Sequence, residues 1–382
     1  MRVGIIGIGQ TKMGEHWSKS LRDLSTEAGA MALKSAGMTA SDIDGLFIGN
    51  MSAGRFVGQE HLAALAADHA GMTPIPATRC EAACASGSLA FRKAYFAILS
   101  GHHKIVMVGG SEKMTDIGAT GSVGTLMGAG DQEWESSIGL TFPGLYALMA
   151  QAYMERYGLQ RDELSLVPVK NHAHGVKNPY AQFRFPISVQ DVAASPLVAD
   201  PLRLLDCSPI TDGAAAIILA TEDVAKHFEK PVWVAGSGQA SDTLALHDRE
   251  ELCRLRASEK AAQMAYIQAG VGPENIDVAE VHDCFSIAEI IAYEDLGFAK
   301  RGKGKQMLLN KDTSMGGSMP VNTDGGLKVG HPVGATGIKQ LIEITRQLRG
   351  EAPNQVKDAK IGLAHNVGGS GATALVHILR RD

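Results

Sequence analysis

The chain repeats itself, and this constrains its fold more than any other feature. VGIIGIGQ at residues 3–10 and VWVAGSGQ at 232–239 are apolar runs that both close on Gly-x-Gly-Gln. A helical pattern follows each, AGAMALKSAGMTASDID at 28–44 and AAQMAYIQAGVGPENID at 261–277. Met31 then matches Met264, Gly37 matches Gly270, and Ile43 and Asp44 match Ile276 and Asp277. Later pieces pair in the same order: ASGSLAFRKAYFAILSG (85–101) with ATGIKQLIEITRQLRG (335–350), and DGAAAIILA (212–220) with GSGATALVHIL (369–379). A period of about half of 382 residues is far too long for a solenoid. It predicts an α/β protein of two homologous halves, 1–228 and 229–382, packed about a pseudo-two-fold axis. Residues from about 115 to 205 have no partner in the second half; an insertion so rich in aromatic and His residues covers or shapes a site.

Bulk properties exclude several classes. With 45% apolar residues, 20% charged residues and a net charge of -5, the chain has no basic stripe for nucleic acid and no acidic tail. No run reaches the ~18 apolar residues of a membrane span, and MRVGIIGIGQ reads as a core strand rather than a signal region. The expected location is the cytoplasm. Five scattered cysteines (80, 84, 207, 253 and 284), with no Cys-x-x-Cys pair, predict free thiols rather than disulfides or a zinc site. GIGQ is no dinucleotide fingerprint either, because the third glycine of GxGxxG is missing after Gly7 and Gly9.

Four places carry chemistry. Cys84, in EAACASGSLA, stands where a helix begins; it is either a small buried hydrophobe or a thiol whose anion a helix N-terminus favours. HDCF follows the short strand pattern IDVAEV, so His282, Asp283 and Cys284 crowd a strand end, where α/β folds line their ligand crevices. GHPVGATG holds His331 in a tight turn that feeds a helix. HNVGGSG follows the strand IGLA, and its glycines let backbone N–H groups approach an oxyanion. Each also has a plain structural reading, as a core thiol, a satisfied histidine or a tight connection. Together they supply a nucleophile, two imidazoles, a second thiol and backbone donors, the inventory of covalent acyl transfer.

These motifs, in this order along nearly the whole chain, resemble the thiolases, and within them the sterol-carrier-protein and archaeal branch. The resemblance implies two βαβαβαββ halves in a five-layered αβαβα body with an inserted loop domain, assembled as a homodimer or tetramer. It implies that Cys84 accepts an acyl group from acyl-CoA, that His331 takes the thiol proton, and that both histidines hold the second substrate's thioester oxygen. His282 stands where many thiolases carry an Asn of an NEAF motif. The backbone N–H groups of Cys84 and Gly368 would form the other oxyanion hole, and Ser208 would meet the pantetheine arm of CoA. No cofactor is tightly bound; CoA thioesters are the substrates.

One departure stands out. Many thiolases place a second acid/base Cys in a CxG motif near the C-terminus, and this chain has Asn366, Val367 and Gly368 there. Asn cannot shuttle a proton, so Cys284 is the expected substitute. The implied activity is condensation of two acetyl-CoA to acetoacetyl-CoA and CoA, with the reverse thiolysis. By analogy with archaeal relatives it would feed mevalonate synthesis, in a complex with 3-hydroxy-3-methylglutaryl-CoA synthase and a small zinc-containing bridging protein. The rival readings are a degradative 3-ketoacyl-CoA thiolase for longer chains, a non-catalytic acyl-CoA-binding scaffold, and a Cys/His hydrolase.

Overall fold

A computed structural model describes residues 2–382. The first half supplies strands β1 (Val3–Gln10), β2 (Gly45–Gly49), β3 (Ala77–Cys80), β4 (Ile105–Glu112) and β5 (Gly213–Thr221). The second supplies β6 (Val232–Ser241), β7 (Val278–Glu280), β8 (Ile361–Gly368) and β9 (Thr373–Arg380). Hydrogen bonds join all nine in the order β3-β2-β4-β5-β1-β6-β9-β8-β7. The two halves run in the same sense from their outer edges inward. In the first, β2 is parallel to β3 and β4, and then β4, β5 and β1 alternate in direction. In the second, β7 is parallel to β8, and then β8, β9 and β6 alternate. β1 and β6 join the halves through Gly4 opposite Trp233 and Ile5 opposite Val232.

The duplication is incomplete at one edge. Where the first half has β3, the second has only Val321, a parallel bridge to Ala279. Pro320 has no N–H to extend a ladder; its carbonyl accepts from Ala279 N at 3.1 Å, and Asn322 N donates to Ala279 O at 2.9 Å before the chain turns away.

The helices that matter for the site are α1 (Leu21–Ala36), α2 (Ser86–Leu99), α3 (Phe142–Tyr157), α4 (Arg161–Gly175), α5 (Arg256–Ala269), α6 (Ser286–Asp295) and α7 (Thr336–Arg349). α2 and α7 form the central layer: Phe91, Ile98, Ile338 and Ile342 share one core with inward side chains of both half-sheets. On β5, Ala215, Ile217 and Leu219 face that layer, whereas Ala214, Ala216 and Ile218 face α1 on the outer side. A strand buried on both faces is apolar without alternation, which explains GAAAIILA. α5 covers the outer face of the second half, so the layers run helix, sheet, helix, sheet, helix.

The repeated Gly-x-Gly-Gln belongs to this layering. A Cβ on Gly9 would lie 2.4 Å from Ala28 O of α1, and one on Gly238 would lie 1.9 Å from Ala261 O of α5. The motif lets a helix backbone rest directly on a strand, once in each half. Within the unpaired 115–205 block, α3 and α4 pack against α6 and the second half's outer core. Among the described residues no helix is long and apolar enough to cross a membrane.

Candidate active site

Cys84 lies in a single 3-10 turn, Ala83–Ala85, that runs straight into α2. Three hydrogen bonds fix the turn: Ala82 N donates to Ser86 Oγ (2.9 Å), Ser86 Oγ donates to Ala83 O (2.6 Å), and Ala83 N donates to Glu81 Oε1 (2.6 Å). Ala83 has φ of 51°, the left-handed region that costs a residue with a Cβ about 1–2 kcal/mol. Cys84 as a whole is half-buried and packs against the cluster of Met51, Phe56, Met114 and Val333. A cleft of about 470 Å³ opens beside the turn, lined by Ala82, Ala83, Met51, Arg55 and Gly368 among others.

His282 follows the end of β7, and His331 lies in the turn before α7. The fold brings both segments to Cys84: the cysteine sulfur and one nitrogen of each ring lie within 4.8 Å of one another. The rings stand edge to face, with centroids 5.4 Å apart and planes at 80°. His331 is held at Nδ1 by Thr336 Oγ1 (2.6 Å) and at its backbone N by Thr211 Oγ1 (3.1 Å). His282 Nδ1 meets Asn366 Nδ2 at 3.1 Å, and its Nε2 is buried with no partner within the chain.

Burial decides the charge state. It pushes the Cys84 thiol up to about 12, against the opposing N–H groups of Gly369 and of Cys84 itself. It pulls His331 down to about 3, helped by the nearby Lys339 and Lys328 cations, and pulls His282 well below its ordinary range. At neutral pH the resting site is therefore a thiol and two neutral imidazoles, and the thiol needs a base in the act of reaction. The three donors also suit a soft divalent ion, which would occupy the nucleophile and compete with acyl transfer.

Cys284 is buried on the same side, and its thiol is pushed up by burial and then by charge on Cys84; the Tyr146 hydroxyl opposes the shift. Tyr146, from α3 of the inserted block, stacks on Phe285 at 4.7 Å and donates from its hydroxyl to Gly369 O at 3.0 Å. Ser208 donates its backbone N–H to Cys284 O (2.8 Å), so its loop braces the HDCF turn. The N–H that reaches the Cys84 sulfur from the glycine loop is that of Gly369. Gly368 lines the cleft, and a Cβ on it would lie 2.4 Å from Ala82 O.

The NHAHGVKNPYAQF stretch serves from behind. Asn171 Nδ2 donates to Asp283 Oδ2 and Glu289 Oε2, each at 2.7 Å, and His174 Nδ1 pairs with Asn322 O at 2.9 Å. Asp283 also accepts from Leu327 N at 2.8 Å, coupling the HDCF turn to the loop that carries His331. Sequence reading assigned no role to Tyr146, Thr336 or Thr211. All three act on residues distant in sequence or through a hydroxyl that ordinary turns share, and only an apolar helix inside an unmatched block hinted at Tyr146.

Two family models cover the chain: "Thiolase, N-terminal domain" over residues 3–223 and "Thiolase C-terminal domain-like" over 238–381. The chain is 52% identical to an acetyl-CoA acetyltransferase of Methanothermobacter thermautotrophicus over 99% of both chains. It is 34% identical to human sterol carrier protein 2, covering 98% of this chain and 71% of that one. Among solved structures, an "Ltp2-ChsH2(DUF35) aldolase" matches with a TM-score of 0.87 at 26% identity, over 100% of this chain and 98% of the other. With matched domains from end to end and the fold they describe, the chain belongs to the thiolase family.

Proposed function

We propose that the protein is an acetyl-CoA C-acetyltransferase, condensing two acetyl-CoA to acetoacetyl-CoA and CoA and catalysing the reverse thiolysis. The observation that carries this reading is the convergence of Cys84, His282 and His331 within 4.8 Å at the end of a strained turn. Full-length identity of about half to archaeal acetyl-CoA acetyltransferases supports the substrate.

The steps follow from the geometry. His331 Nε2 takes the Cys84 proton as sulfur attacks the thioester carbonyl; the tetrahedral oxyanion faces backbone N–H groups, among which we place Cys84 and Gly368. Cys284 gives its proton to the departing CoA sulfur, so acetyl-Cys84, a Cys284 thiolate and a protonated His331 remain. A second acetyl-CoA then sets its thioester oxygen against His282 Nε2–H and the Nε2–H that His331 now carries, and these donors lower the cost of the enolate. The Cys284 thiolate accepts the α-proton, and the enolate carbon attacks acetyl-Cys84. The expelled Cys84 sulfur takes its proton back from His331, so both thiols and the neutral imidazole are restored. The Tyr146 hydroxyl lies beside Cys284 and, by turning its one proton from Gly369 O to the sulfur, would favour the thiolate that this step needs.

Ser208 is assigned to the pantetheine arm, since its loop adjoins Cys284. The thiolase resemblance further implies a cytoplasmic homodimer or tetramer that feeds mevalonate synthesis. Condensation of acetyl-CoA is uphill, so transfer to a 3-hydroxy-3-methylglutaryl-CoA synthase through a zinc-containing bridging protein would draw it forward. The direct test is mass spectrometry of protein mixed with acetyl-CoA. One acetyl group on the peptide containing Cys84, removed by free CoA, is the expected result; an unmodified Cys84 refutes the reading.

A further inference from the structure

His282 and His331 are alike in burial yet tied at Nδ1 to partners of opposite kind. Thr336 Oγ1 lies 2.6 Å from His331 Nδ1 and gives its one proton to Pro332 O at 3.0 Å. That oxygen can only accept from the ring, so the His331 proton sits on Nδ1 and Nε2 carries the lone pair. Asn366 Nδ2 lies 3.1 Å from His282 Nδ1. An amide nitrogen only donates, so Nδ1 accepts and the His282 proton sits on Nε2. That Nε2–H is buried and meets no partner in the chain.

The other end of the amide, Asn366 Oδ1, lies on the side of Ser88 Oγ: a Cβ on Gly337 would meet the two at 2.5 Å and 2.3 Å. Neither oxygen has a hydrogen-bond partner within the chain, so the orientation rests on the contact of Nδ2 with His282 Nδ1. The reversed amide would leave His282 Nδ1 to donate to the amide oxygen.

We infer that Asn366 is a positioning residue that holds His282 in its Nε2–H form, opposite His331 in its Nδ1–H form, so that the site presents one N–H and one lone pair. The role of that N–H, binding the second thioester's oxygen, rests on the proposed function; the tautomer does not. Position 366 thus carries an orienting amide in place of a second thiol, and acid/base work falls to Cys284.

The test uses ¹⁵N-histidine-labelled full-length protein, with the His282 signals identified by their loss in His282→Gln. The wild type should show His282 protonated at Nε2 and Asn366→Ala a mixture of tautomers. In the same variant, acetylation of Cys84 in a single turnover should stay within about 2-fold, whereas kcat for condensation should fall on the order of 10-fold or more, as for a weakened oxyanion donor. A wild-type His282 protonated at Nδ1 overturns the inference, whether or not the variant folds. Equal slowing of acetylation and condensation, or no change in either, also overturns it. An inactive wild type with the Nε2–H form intact would refute the proposed function and leave the tautomer assignment standing.

Discussion

The imidazole rings of His282 and His331 stand edge to face, 5.4 Å apart, with the Cys84 sulfur within reach of both. Neither ring is charged at neutral pH, because burial moves both well below their ordinary range. The site is therefore poised for proton transfer rather than for a stored thiolate–imidazolium pair.

That charge state predicts how Cys84 reacts without substrate. With the thiol pushed up to about 12, the thiolate is the minor form across the usual range. Alkylation by iodoacetamide should therefore rise about tenfold per pH unit from pH ~6 to ~9, without a plateau. A plateau near neutrality would show a preformed ion pair.

Thr336→Val keeps the shape of the side chain and removes the acceptor for His331 Nδ1–H. The ring is then free to present the wrong nitrogen to Cys84. A fall of roughly 10- to 100-fold in kcat/KM for thiolysis is expected, within the range for impaired general-base catalysis, with little change in Tm.

The glycines under α1 and α5 separate packing from chemistry. Gly238→Ala would put a Cβ 1.9 Å from Ala261 O and should cost about 3 kcal/mol or more of stability. Gly37→Ala meets nothing within 4 Å and pays only for its φ of 62°, about 1–2 kcal/mol. Denaturant unfolding of both variants checks the order.

A soft divalent ion should inhibit. Cys84, His282 and His331 offer a thiol and two neutral imidazoles within 4.8 Å, so Zn²⁺ should block turnover in competition with acyl-CoA, and a chelator should restore it. Inhibition that persists in His282→Gln with unchanged potency would place the ion elsewhere.

Much of this was readable in the sequence because it depends on local spacing. The paired segments at 3–10 and 232–239 become β1 and β6, and those at 212–220 and 369–379 supply β5 and β9. Cys84 at a helix start and His331 before α7 also follow from neighbouring residues. Other features arise only when distant segments meet. Tyr146 reaches Gly369 across more than half the chain, and Asn366 reaches His282 from the next strand. The left-handed φ of Ala83 has no sequence mark, since no glycine announces it. The second half's missing edge strand is visible only as Pro320, whose effect depends on the neighbour it fails to pair with.

The central claim is acyl transfer through Cys84 with proton transfer at Cys284, and it is tested most directly by thiolysis. Purified protein is mixed with acetoacetyl-CoA and free CoA, and loss of the 3-ketoacyl-CoA absorbance is followed for wild type, Cys84→Ala and Cys284→Ala. The account predicts turnover by the wild type that falls by at least about 10³-fold in Cys84→Ala, as for loss of a covalent nucleophile. It predicts a loss of about 10²- to 10⁴-fold in Cys284→Ala, as for a missing general acid/base. A wild type inert toward acetoacetyl-CoA and longer 3-ketoacyl-CoAs, or a Cys84→Ala variant that still turns over, would contradict it.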